Sequence, residues 1–267
     1  LSRSAHTKPM VLCLSGLDPS GGAGIQADME AMLMTGSHCL PVITSLTVQN
    51  TQNVQATQPV NGEILRHQVE SLLSDLSISA VKIGLLDGPD NVRVVADILK
   101  QLRDVPVVAD PVLIAGGGYD FGAVDIIDLY LEQIAPHATI MTPNTHELFR
   151  LAKGSDSQSE AAERLLQAGA KHVLVTGGHE PGELITNRLY SSQKGDEPSQ
   201  WQWARQPGEY HGSGCTLAAA LASYLAQGHI VTDAASLAQD FTWQAIKYGW
   251  QPGAGQLIPN RRYPLEI

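Results

Sequence analysis

Positive charge is scarce in this chain. Seventeen lysines and arginines stand against 27 aspartates and glutamates, for a formal net charge of −10. No Lys/Arg run breaks that balance, so a polyanion such as DNA is repelled. Aromatic residues make up only 5%, too few for base-stacking platforms. A small phosphorylated ligand stays admissible, because backbone N–H groups and a metal can hold it without net positive charge. The three cysteines, Cys13, Cys39 and Cys215, lie far apart and form neither a CxxC pair nor a zinc spacing. That excludes a disulfide framework and a structural zinc, and free thiols fit a reducing cytosol. No apolar run is long enough for a membrane helix. Leu1 to Pro9 is polar and lacks a signal-peptide core. The expectation is a cytoplasmic protein with neither nucleic-acid nor membrane partners.

What is present is alternation. Across 267 residues, short apolar runs take turns with amphipathic segments. Strands are expected at 11–15, 38–48, 80–83, 106–109, 138–141 and 172–176, with the 38–48 segment serving partly as a flap. Helices are expected at 23–35, 63–74, 90–102, 123–134, 159–168, 216–226 and 233–248, with one more opening at Thr142-Pro143-Asn144 and taking Thr142 as its cap. Segments 183–190 and 200–205 read as a hairpin around Lys194-Gly195-Asp196. Such alternation predicts an α/β three-layer sandwich, a mostly parallel central sheet flanked by helices. A single domain over 1–267 is expected, with residues 1–9 flexible. Ligands of such sheets sit at strand carboxyl ends, where Gly16–Gly24, Gly84, Asp110, Asn144, Gly177 and the 211–215 turn all fall.

Three motifs carry candidate chemistry. Asp18-Pro19-Ser20-Gly21-Gly22-Ala23-Gly24 is either a ligand-approaching turn or a plain strand-to-helix turn. It is neither a Walker A loop nor GxGxxG, which disfavours a P-loop or dinucleotide site. His211-Gly212-Ser213-Gly214-Cys215-Thr216 precedes an Ala-rich helix and can aim successive N–H groups at a phosphoryl group. Cys215 there is either a thiol with depressed pKa acting as a base or a packed core residue. Asn144 and Glu147, three apart, suit Mg²⁺ and phosphate, or form only a helix cap. Asp110, ahead of Pro111, either positions Mg²⁺ or simply ends its strand. The histidines at 38, 67, 137, 172 and 179 show no metal spacing, and the four tryptophans form no box.

In order along the chain, these motifs resemble the ribokinase-like superfamily and, more narrowly, the hydroxymethylpyrimidine/phosphomethylpyrimidine kinases of thiamin biosynthesis. The resemblance rests on Gly16 through Asp28, Val42 through Asn50, Lys82-Ile83-Gly84-Leu85-Leu86, Thr142-Pro143-Asn144 with Glu147, Gly177-Gly178-His179 and His211 through Thr216. It implies a ribokinase-like fold and transfer of phosphate from ATP, with Mg²⁺ and with room for a monovalent cation, to a small pyrimidine alcohol and then to its monophosphate. It implies a homodimer. It implies that Asp28 and Gln49, flanked by Gly16, Gly24 and Leu85, hold the pyrimidine. Gly212, Ser213 and Gly214 would form the anion hole with Cys215 as base. Asn144, Thr176, Gly178 and Asp110 would serve ATP and phosphate, and Glu147 the metal. The chain departs from the family at Leu85, where Met is frequent, and at Thr176, where many members have Lys. It departs again at Ala115-Gly116-Gly117-Gly118, where many carry a Lys-Ser-Gly run. A pyridoxal kinase and a non-catalytic pyrimidine-binding homologue are the alternatives.

Overall fold

The apolar runs become strands buried on both faces. The computed structural model describes residues 8–114, 117–121, 124–192 and 197–265. Residues 1–7 of the expected flexible arm, Ala115-Gly116 and the Lys194-Gly195-Asp196 turn lie outside the described residues. In chain order the described elements are β1 (Met10–Leu17), α1 (Gly24–Thr35), β2 (His38–Gln49), β3 (Val54–Pro59), α2 (Gly62–Leu73), β4 (Ala80–Ile83), α3 (Pro89–Leu99), β5 (Val107–Ala109) and α4 (Val124–Gln133). They continue with β6 (Ile140–Met141), α5 (Thr145–Leu151), α6 (Gln158–Gln167), β7 (His172–Val175), β8 (Leu184–Ser191), β9 (Ser199–Ala204), α7 (Ser213–Ala226) and α8 (Val231–Lys247).

One nine-stranded sheet runs β3-β2-β1-β4-β5-β6-β7-β8-β9. The strands from β2 to β7 pair in parallel, while β3 at one edge and β8 and β9 at the other are antiparallel. Alternation along β1 shows why helices must cover both faces. Leu12 and Leu14 join a core with α2 to α6, and Val11 and Cys13 join one with α1, α7 and α8. Each large apolar side chain so buried contributes about 1.5–3 kcal/mol. The expected three-layer α/β arrangement is therefore present.

The differences have local causes. β3 was not expected, since Val-Gln-Ala-Thr-Gln-Pro buries only Val54 and has no apolar alternation. It pairs with the outer half of β2 and makes that half a two-stranded ribbon. The cap of α5 is Asn144 rather than Thr142: its side chain accepts from Glu147 N–H while Glu147 reaches back to the Asn144 N–H. α7 begins at Ser213 rather than Thr216, so Ser213, Gly214 and Cys215 form its first turn.

From β1 the chain steps to β2 on one side and later returns past β1 to β4. That reversal opens a crevice outside the carboxyl ends of β1 and β4, the usual ligand position in open α/β sheets.

Candidate active site

A cavity of about 210 Å³ occupies this crevice. Its wall brings together Gly16, Gly24, Gln49, Leu85, Asp110, Asn144, Glu147, Thr176 and the whole turn Gly212-Ser213-Gly214-Cys215. Residues from sequence positions about two hundred apart thus meet in one place.

Two helix N-termini face the cavity without side-chain caps. α1 starts after Ala23 and α7 after Gly212, and neither capping position supplies a side-chain hydrogen bond. Their first N–H groups and dipoles therefore favour a negative ligand group. Gly212 has φ +83°, and a Cβ there would collide with the Gly22 carbonyl oxygen. Only glycine fits that approach.

The floor holds a buried ion pair. β4 reads Ala-Val-Lys-Ile, and its alternation turns Lys82 toward the layer of α1 and α7. Lys82 Nζ donates to Asp28 Oδ2 at 3.0 Å and to Ser15 Oγ at 3.1 Å. It lies 2.9 Å from Asp28 Oδ1, an oxygen that accepts no aligned hydrogen bond. Ser15 Oγ in turn donates to Asp28 Oδ2 at 2.6 Å. A Cβ on Gly84 would sit 2.7 Å from Ser15 Oγ and 2.8 Å from Lys82 Nζ, so this network leaves no room for a side chain there. Burial alone would push the Lys82 ammonium down, but the Asp28 carboxylate beside it, with Asp110 further off, outweighs burial and holds the lysine charged.

Two expected site residues do not line this cavity. Asp28, expected against the pyrimidine, is fully buried behind the wall. It lies four residues beyond Gly24 on α1, hence one turn deeper on the same helix face, where it meets Lys82. Gly178, expected at ATP, does not line the cavity, and its carbonyl accepts from Arg205 at 2.8 Å. One expectation is corrected, that of the thiol. Cys215 is pushed up to about 11, not depressed: burial dominates, Lys82 opposes it, and Asp110 and Asp28 add to it. It is a protonated thiol in the ligand-free site.

Also on the cavity wall, Asp110 and Glu147 form an acidic pair. Glu147 is pushed up to about 8 by burial and by Asp110, against N–H groups of Asn144 and Leu113 and the charge of Arg150. Asp110 is raised by burial, with Lys82 and a 3.0 Å hydrogen bond from Thr142 opposing. No group of three or more His, Cys, Asp or Glu suited to a metal occurs among the described residues. A pair suffices for Mg²⁺, which keeps waters and takes one or two carboxylates beside substrate phosphates.

The ribbon supplies the lid side. Thr47 Oγ lies 2.8 Å from Gln49 Oε1, and Gln49 Nε2 lies 3.3 Å from His211 Nε2. His211 Nε2 is also 2.8 Å from Asp18 Oδ2, and its N–H donates to that carboxylate. The Gln49 amide thus stands between Thr47 and His211 on the cavity wall. Asp18 also accepts from Ser20 and from Ala23 N–H, and these bonds with His211 outweigh burial and hold it below its ordinary value. Lys82, Ser15, Asp18 and His211 had no role assigned from sequence. A lone Lys in a strand of otherwise apolar residues was the available signal for the first.

Comparisons with known proteins give consistent matches over nearly the whole chain. The family model described as phosphomethylpyrimidine kinase matches residues 18–260. A hydroxymethylpyrimidine/phosphomethylpyrimidine kinase from Streptomyces coelicolor is 35% identical over 93% of this chain and 93% of its own. Among solved structures, an ADP complex of Bacillus subtilis pyridoxal kinase superposes with a TM-score of 0.86 at 27% identity, covering 97% of this chain and 100% of that one. A phosphomethylpyrimidine kinase from Clostridium difficile gives 0.76 at 33% identity, covering 90% and 100%.

Proposed function

The chain belongs to the phosphomethylpyrimidine kinase family, and on that premise we propose that it phosphorylates 4-amino-5-hydroxymethyl-2-methylpyrimidine, and then its monophosphate, from ATP in thiamin biosynthesis. The observation that carries the reading is the convergence of two uncapped helix N-termini and Cys215 on one cavity above the fixed Lys82 charge.

Phosphoryl transfer asks mainly for positioning and charge stabilisation. The N–H groups of Gly212, Ser213 and Gly214 offer donors and a helix dipole to the transferring group. The Gln49 amide, which can both donate and accept, suits the nitrogen-bearing edge of an aminopyrimidine, with Gly16, Gly24 and Leu85 as close walls. Asn144, Thr176 and Asp110 face the nucleotide side. The Cys215 thiol first meets the substrate hydroxyl as a hydrogen-bond partner. Its thiolate, the form able to take the proton, is the one Lys82 favours. Asp110 and Glu147 would hold Mg²⁺, which supplies charge neutralisation to the phosphates when bound. Lys82 supplies a cation in a site where Thr176 stands in place of the family's frequent lysine.

The reading extends to a cytoplasmic homodimer. Free Cys13, Cys39 and Cys215 support the first part, and exposed Leu46 and Val48 on the β2–β3 ribbon offer apolar surface to a second copy. Pyridoxal is the second candidate substrate, favoured by the backbone likeness to a pyridoxal kinase. ADP release measured with the alcohol, its monophosphate and pyridoxal in parallel separates them. Preference for the pyrimidines is expected, and preference for pyridoxal overturns the substrate assignment.

A further inference from the structure

The tail of the chain reaches the site through Arg261, a residue that is 1% exposed. Its guanidinium has three partners on three segments. Nε donates to Thr216 Oγ1 at 2.8 Å, Nη1 to Glu30 Oε2 at 3.1 Å, and Nη2 to the Gly22 carbonyl. Thr216 Oγ1 passes the constraint on, donating to the Gly212 carbonyl at 2.7 Å. Gly22 belongs to the turn that starts α1, and Gly212 to the turn that starts α7. The two backbones touch, since a Cβ on Gly212 would strike the Gly22 oxygen and lie 2.9 Å from Arg261 Nη2. On the cavity side the same turns are joined once more by His211 and Asp18.

We infer that Arg261 is a positioning residue that fixes the α1 and α7 N-termini relative to each other and so sets the geometry of the anion hole. This rests on the phosphoryl-transfer reading of that turn. A planar guanidinium presents donors in a rigid fork, and an ammonium cannot span the same three acceptors. Glu30 neutralises the charge but touches neither turn, so the ion pair and the positioning are separable. A kinase gains from this arrangement because a displacement of about 1 Å at the reacting groups costs about 10²-fold in rate. Arg261 does not itself line the cavity and acts only through Thr216, Gly212 and Gly22.

The test compares wild type, Arg261→Lys, Arg261→Ala and Glu30→Gln by steady-state kinetics with the pyrimidine alcohol and ATP, and by thermal melting. For Arg261→Lys, kcat is expected to fall about tenfold or more while both KM values stay within about threefold. Glu30→Gln is expected to lower Tm and keep kcat. Millimolar guanidinium chloride is expected to restore part of the kcat of Arg261→Ala, or of the Arg261→Lys protein should the alanine variant not fold. An Arg261→Lys protein with wild-type kcat overturns the inference. So does a loss in which kcat follows Tm equally in Arg261→Lys and Glu30→Gln. Absence of turnover in the wild type itself would instead refute the kinase reading, so the two failures are distinguishable.

Discussion

Cys215 is the residue on which the proposed chemistry turns. Burial leads the causes that hold its proton, pushing it up to about 11, and only the thiolate can act as a base. The deprotonated fraction grows as pH climbs toward that value. If Cys215 serves as base, kcat/KM rises with pH from about 7 to about 10 without a plateau. Cys215→Ala then lowers turnover at neutral pH by about 10²-fold, the scale of one general base. A flat profile, or a variant with near-normal turnover, removes the base role and leaves positioning and the anion hole. Glu147 gives a second test. Its folded pKa of about 8 lies above the ordinary 4.5, so the native state binds this proton more tightly than the unfolded chain does. The associated stability is complete below about 4.5 and is lost as pH rises through about 8. Glu147→Gln removes that loss and keeps an acceptor for the Asn144 N–H. Without ligands it melts above wild type at about pH 8, the gap closing toward about pH 5, while turnover falls. A wild type that melts higher at about pH 8 contradicts the burial argument.

At the scale of elements, β1, β4 and α1 share one buried charge pair. Removing one partner leaves the other uncompensated, and Lys82→Met is expected to cost about 3–5 kcal/mol by urea unfolding. Lys82→Met with Asp28→Asn recovers most of that, because neither charge remains, yet turnover stays low with no cation beside Cys215. A double variant that regains both stability and turnover makes the pair structural only. The same elements show what could be read beforehand. Glycine turns after apolar runs were visible in sequence because turn chemistry is local. The place of Asp28 was not, since it depends on which strand lies behind α1. The thiol of Cys215 misled for a related reason: a helix N-terminus lowers a pKa, but the depth of the cavity and two carboxylates decide the sign here. β3 was invisible because its pairing, not its side chains, makes it a strand.

Over the whole molecule, the parallel sheet and its two helical layers followed from alternation alone, and one strand reversal gathers distant motifs into a single crevice. In a chain of net charge −10, the crevice offers backbone N–H groups and one internal lysine to an anion rather than a basic surface. That is the arrangement of a small-molecule phosphotransferase, and Gln49 on the ribbon lines the same cavity. The most direct test is ADP release by the wild-type protein with ATP and Mg²⁺, offering the pyrimidine alcohol, its monophosphate and pyridoxal in turn. Robust turnover of both pyrimidines, above that of pyridoxal, is the predicted result; binding of pyrimidine without ADP release, or a strong preference for pyridoxal, would contradict the account.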